Sequence, residues 1–232
     1  MKKVYSVIIL LLALSLCLLV GCDKKPTGEE KTALEKRVST YHDAVYVGAN
    51  DDFEASFVTG ECEKLIVIDG EVGDLAPFAT LTVTPLSASL FNNTYTYVLK
   101  GETGERTGDL AKDVVGASFS AEVKDAKEIG KVLSLTIKAE GILESEVPLS
   151  DKLDGALTWK EALAIAGKEI EEVILQESDT GNLRREIYVK LVNALAAEDA
   201  PYYYYVSFIK SPSDYWALLL DPTSGEVISK KI

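Results

Sequence analysis

The spacing of hydrophobic positions changes several times along the chain. Val4–Val20 is an unbroken apolar run, flanked by Lys2-Lys3 and by a polar stretch that starts at Asp23. Leu34, Val38, Tyr41 and Val45 then recur at intervals of four, three and four residues, as one helical face would. Thr27 followed by Glu30 fits a capping box, and a short helix is expected over residues 29–42. From residue 44 to 150 the period shortens. Leu81 and Val83 alternate with Thr80, Thr82 and Thr84, and Leu133, Leu135 and Ile137 alternate with Ser134, Thr136 and Lys138, the pattern of half-buried strands. Phe53–Val58, Leu65–Ile68, Thr94–Lys100, Ala117–Val123 and Leu143–Val147 are further strand candidates. Turn residues separate them at Asp69-Gly70, Asn92-Asn93 and Gly101–Gly108.

Pro148–Gly155 reads as a boundary, after which the pattern turns helical. Thr158 can cap a helix with Glu161 three residues on, and Trp159, Ala162, Leu163, Ala166, Ile170, Val173 and Ile174 fall on one face. Leu183, Ile187, Leu191 and Leu195 repeat every four residues, which predicts a second helix to about Ala197, although Glu186–Val192 alone also suits a strand. Tyr202–Ile209 and Tyr215–Leu220 are β-type runs, and Asp221-Pro222-Thr223-Ser224-Gly225 is a tight turn into Glu226–Ser229. The expected fold is mixed. An antiparallel β-sandwich of immunoglobulin-like type over 44–150, with an open barrel as the alternative, precedes a small α+β domain over 155–232, made of two helices and an antiparallel β-meander.

The leader carries a motif. A basic start, an apolar stretch and a small residue at its end have the layout of a secretory signal over residues 1–21. Leu19-Val20-Gly21-Cys22 resembles the lipobox of bacterial lipoproteins. The resemblance implies cleavage before Cys22, diacylglycerol (and palmitate-type acyl chains) on its thiol, and a tether over 22–43 that holds the rest on the outer side of a cell membrane. Two or three chains anchor stably where one does not. Asp23 resembles an inner-membrane retention signal if the envelope has two membranes, and carries no such meaning if it has one.

A second resemblance lies in the last third. Thr158-Trp159-Lys160-Glu161-Ala162-Leu163-Ala164-Ile165-Ala166 resembles the opening helix of a PepSY-type domain, and Tyr215–Val227 resembles its closing hairpin. The helical spacing of Leu183–Ala197 departs from the family, which usually continues in strand. The resemblance implies a small exported module that binds or restrains partner proteins, and it transfers no catalytic residue.

Composition narrows the chemistry. The formal net charge is −13, and losing Lys2 and Lys3 with the leader takes it to −15. Such a chain lacks the basic footprint of a nucleic-acid binder. Cys62 has no intrachain partner once Cys22 is lipidated and the leader's Cys17 removed, so no disulfide is expected, and acidic neighbours disfavour its thiolate. His42 is the single histidine and is expected at the surface near the tether. No catalytic, metal or cofactor residues are therefore assigned. The acidic groups Asn50-Asp51-Asp52-Glu54 and Asp69-Glu71-Asp74 match no calcium loop. What remains is the tyrosine run. Tyr202, Tyr203, Tyr204 and Tyr205 must alternate faces, two each way, and with Tyr215 and Trp216 they are the candidate contact residues for a protein or peptide partner. The expected function is a non-catalytic, lipid-anchored interaction module. The alternatives are an envelope hydrolase using carboxylates or a metal, and a lipoprotein binding a small ligand.

Overall fold

The computed structural model describes residues 32–64, 67–114, 117–178, 183–193 and 201–232. The leader 1–21, Cys22, the first part of the tether, the Thr27–Glu30 capping box, the turn 179–182 and the stretch 194–200 lie outside the described residues. The chain is mostly β. Its strands are β1 (Val38–Ala49), β2 (Phe53–Glu63), β3 (Leu75–Pro85), β4 (Tyr95–Gly101), β5 (Glu105–Lys112), β6 (Phe119–Glu122), β7 (Val132–Ala139), β8 (Leu143–Pro148), β9 (Ser150–Asp151), β10 (Glu186–Asn193), β11 (Tyr202–Ser211), β12 (Asp214–Leu220) and β13 (Val227–Lys231). Two helices, α1 (Trp159–Glu169) and α2 (Glu171–Glu177), lie between β9 and β10. Hydrogen bonding links the strands in the order β13-β12-β11-β10-β1-β2-β3-β6-β5-β4-β7-β8, with β9 beside β1. All neighbours are antiparallel except β1 and β10.

Two hydrophobic clusters fill this framework. The first runs from Tyr46 to Leu149 and includes Phe53, Phe57, Leu81, Tyr95, Leu99, Phe119, Leu135 and Ile137. The second joins Val38, Tyr41 and Val45 of β1 to Ala162, Leu163, Ala166 and Ile170 of α1 and to Ile187, Val189, Tyr204, Val206, Phe208, Trp216 and Leu218 of the C-terminal strands. β1 therefore serves both cores, and residues Ala33–Ile232 form one compact unit.

Several sequence expectations need correction. Residues 38–42 are strand, not helix, preceded by a single 3-10 turn at Glu35–Arg37. β1 has register irregularities between Val38 and Thr40 and between His42 and Ala44. Irregularities of this kind break strict alternation, and the interval of three between Val38 and Tyr41 then imitates a helix. The second predicted helix is β10. An interval of four is also twice the strand period, and Ile187, Val189 and Leu191 are buried while Tyr188, Lys190 and Val192 are half-buried. The helical run after Thr158 instead breaks at Ile170 (φ −117°, ψ 22°) into α1 and α2. β5 begins inside the segment read as a turn, Gly101–Gly108, and runs on beyond it; Glu105–Lys112 is largely exposed and shows no apolar alternation. Val67 and Ile68 are not strand.

Other local readings match. Glu161 N–H donates to Thr158 Oγ1 while Thr158 N–H donates to Glu161 Oε2, the reciprocal capping that starts α1. Asp221 Oδ1 accepts the N–H groups of Thr223 and Ser224, and Gly225 closes the turn at φ +74°. A side chain at Gly225 would also strike Ile165 of α1, since its Cβ would lie 2.5 Å from Ile165 Cδ1.

Candidate interaction face of the C-terminal sheet

The four tyrosines divide as strand geometry requires. Tyr202, Tyr204, Val206 and Phe208 point into the second core beneath α1. Tyr203, Tyr205, Ser207 and Ile209 therefore occupy the opposite face of β11. Tyr204 is fully buried, and its hydroxyl donates to Leu157 O at 2.6 Å. Tyr202 is half-buried beside Lys152, whose Nζ sits 5.9 Å from the ring centre.

Trp216 does not join the open side. It pairs with Phe208 on the helix-covered face and is 8% exposed. The Arg185 guanidinium lies 3.8 Å from its ring centroid, a cation–π contact. That guanidinium is itself held by Glu177, by Asp214 and by the carbonyls of Phe208 and Asp214. Trp216 and Tyr204 are thus structural, and of the expected contact residues Tyr203, Tyr205 and Tyr215 remain on the open face.

Register fixes the rest of that face. Tyr205 stands between Lys190 and Leu219, Tyr203 opposite Val192, Ser207 between Tyr188 and Ala217, and Ile209 between Glu186 and Tyr215. Tyr188, Lys190, Tyr203, Tyr205, Tyr215 and Leu219 are all half-buried. Among the described residues α1 packs on the opposite side, while on this side Glu186, Ser207 and Ala217 are themselves buried. Lys190 Nζ lies 4.7 Å from the Tyr188 ring centre and Lys231 Nζ 3.4 Å from that of Tyr215. Burial lowers the Lys190 pKa, with a nearby Cys62 opposing. Burial also raises that of Tyr188, reinforced by the carboxylates of Glu186 and Glu63. The carboxylate that β10–β12 turn to this side is that of Glu186, which is fully buried and accepts the N–H groups of Asp69 and Gly70. The accessible part of the face is aromatic and basic on an otherwise acidic chain. Sequence reasoning missed Tyr188 and Lys190, because the spacing of β10 suits a helix, and passed over Leu219 on the neighbouring β12.

His42 is half-buried, not at the surface. β1 and β10 pair from Val38/Ile187 to Tyr41/Val189 and then part. His42 Nδ1 accepts the Leu191 N–H at 3.3 Å just beyond, standing in for the missing backbone partner. Only the neutral ring can accept, and burial together with Lys190 lowers its pKa to about 4. Asp43 follows it beside a cavity of about 310 Å³ near Trp159 and Tyr204, and burial raises the Asp43 pKa. Burial likewise raises that of Cys62, a half-buried free thiol.

The acidic groups work locally. Asn50 and Asp52 hold Ser145, and Asn50 Oδ1 caps the turn into β2. Asp69 accepts from Glu71 N–H, and Glu71 pairs with Arg37. Among the described residues no three potential ligands converge on a metal position, and no helix is long and apolar enough to cross a membrane. No family model matches the chain, and neither a curated protein nor a solved structure is significantly similar to it.

Proposed function

We propose that this chain is a non-catalytic, lipid-anchored bacterial lipoprotein that faces away from the cytoplasm and docks an acidic protein or peptide segment on the open face of β10–β12. The observation that carries the docking is the row Tyr188, Tyr203, Tyr205 and Tyr215 with Lys190 and Lys231. It is half-exposed, lies opposite the helix-covered face and is opposite in charge to the chain as a whole. Tyrosines supply contact area at low conformational cost and are enriched in interfaces. The two ammonium groups select for an acidic partner and steer its approach.

Anchoring rests on Leu19-Val20-Gly21-Cys22. The reading of 44–150 as an immunoglobulin-like sandwich is part of the same proposal. Its support is that the ladder β4, β5, β7, β8 and the ladder β1, β2, β3, β6 send residues into one core. The PepSY-like reading of 155–232 gains support from β10, because strand after the helix is what the family has there.

Two measurements test the proposal. Mass spectrometry of the membrane-extracted protein should find residues 1–21 absent and a diacylglycerol adduct on Cys22; an intact leader or a bare thiol contradicts anchoring. A fluorescent Glu-rich peptide should bind the protein in a salt-sensitive way, and Lys190→Glu with Lys231→Glu should abolish binding. A peptide that ignores both the salt and the charge reversal contradicts the docking face.

A further inference from the structure

A second feature lies away from that sheet face. β5 pairs with β4 from Glu105 to Leu110 but meets β6 only through Ala111 and Lys112. β6 instead follows β3, as far as the pair Thr80–Glu122. The two strands diverge, and a groove of about 680 Å³ opens between them, within the range of small-ligand sites. Phe78, Tyr97 and Ala121 give it apolar surface, and Asp109, Glu122 and Lys124 are polar groups along it.

The groove is built into the sheet. Gly108 stands directly opposite Tyr97, and a Cβ there would lie 2.9 Å from the Tyr97 ring. Glycine therefore lets the phenol lie across β5. Tyr97 is 4% exposed and lines the groove. A phenol in the wall of a groove offers a ligand one donor and an acceptor. Burial, and then Asp109, raise its pKa, so it stays protonated.

The polar groups specify the ligand's charge. Arg106 is occupied: its guanidinium donates to the carbonyls of Glu105, Lys124 and Asp125 and pairs with Glu128. It braces the wall and is not available for an anion. With Arg106 engaged by Glu128, the charged lining left to a ligand is Lys124, Asp109 and Glu122, one cation and two carboxylates. An anion such as phosphate is not favoured there, and the two carboxylates accept from hydroxyl donors. A ligand that both donates and accepts hydrogen bonds without carrying charge, and that offers a C–H face to an aromatic ring, fits this set.

We infer that the groove between β5 and β6 binds a neutral saccharide, with the half-exposed Phe78 ring as its platform and Tyr97 Oη, Asp109 and Glu122 hydrogen-bonding its hydroxyls. The site is separate from the docking face and does not depend on it.

The probes are neutral trisaccharides of glucose and of N-acetylglucosamine, titrated into the whole exported chain by calorimetry, with inorganic phosphate and a Lys-rich peptide as charged competitors. At least one sugar series should bind saturably. Tyr97→Phe and Asp109→Asn remove single hydrogen-bonding groups with little change of shape, and each should weaken binding about tenfold. Lys210→Gln, outside the groove, should leave the affinity unchanged. Thermal melts verify that each variant remains folded. No saturable binding by either sugar series, preferential binding of phosphate or the basic peptide, or unchanged affinity in folded Tyr97→Phe and Asp109→Asn overturns the assignment.

Discussion

The two faces of the C-terminal sheet are made from the same strands and carry the same residue type, yet their side chains have opposite fates. Under α1, Tyr204 is enclosed and donates to Leu157 O, and Trp216 is stacked on an Arg185 that is itself fully engaged. On the other side Tyr203, Tyr205, Tyr188 and Tyr215 keep part of their rings in solvent, with ammonium groups over two of them. Aromatic content alone therefore says nothing about binding. What matters is whether an element packs on that face and whether the polar tip of each ring is already satisfied.

The comparison can be broken most forcefully from the covered side. Tyr204→Ala empties a fully buried site and should cost about 3–5 kcal/mol, read by urea denaturation. A loss below ~1 kcal/mol would mean that the helix does not seal this face. Acid comes next. His42 must be neutral to accept from Leu191, and its folded pKa near 4 lies below the unfolded value of about 6.5. The unfolded state then binds more protons between these values. Its contribution is fully present above about pH 6.5 and is lost as pH falls towards 4, by up to about 3 kcal/mol. His42→Gln should flatten that part of the stability–pH profile, measured by chemical denaturation across the range.

Smaller changes sharpen the contrast. Tyr204→Phe removes one buried hydroxyl and should cost about 1–2 kcal/mol, because Leu157 O loses its partner; the same denaturation measurement checks it. Tyr205→Ala, on the open face, should change stability by no more than about 1 kcal/mol while weakening the Glu-rich peptide severalfold. A large stability loss there would show that the open face is core after all.

Much of this division was legible beforehand. Alternation along Tyr202–Tyr205 dictates two rings each way, and Thr158 with Glu161 and Asp221 with Gly225 mark the helix start and the last turn by local hydrogen-bonding chemistry. Four things were not legible. Leu183, Ile187 and Leu191 satisfy helix and strand alike, so Tyr188 and Lys190 were not seen as neighbours of Tyr205. Val38 and Tyr41 follow helical spacing because β1 is irregular. Which face α1 would choose, and hence that Trp216 would be buried while Tyr215 was not, depends on packing between elements far apart in sequence. The groove beside Tyr97 was invisible for a related reason: β5 has one buried side chain, Leu110, and nothing in its pattern announces a strand.

The most direct measurement is a tyrosine nitration footprint, read by mass spectrometry with and without the Glu-rich peptide. Without peptide, Tyr188, Tyr203, Tyr205 and Tyr215 should react and Tyr204 should not. With peptide, the reactive four should be protected together. Nitration of Tyr204 at the same rate as Tyr205, or a footprint that the peptide leaves unchanged, would contradict the division of the sheet into a structural and a docking face.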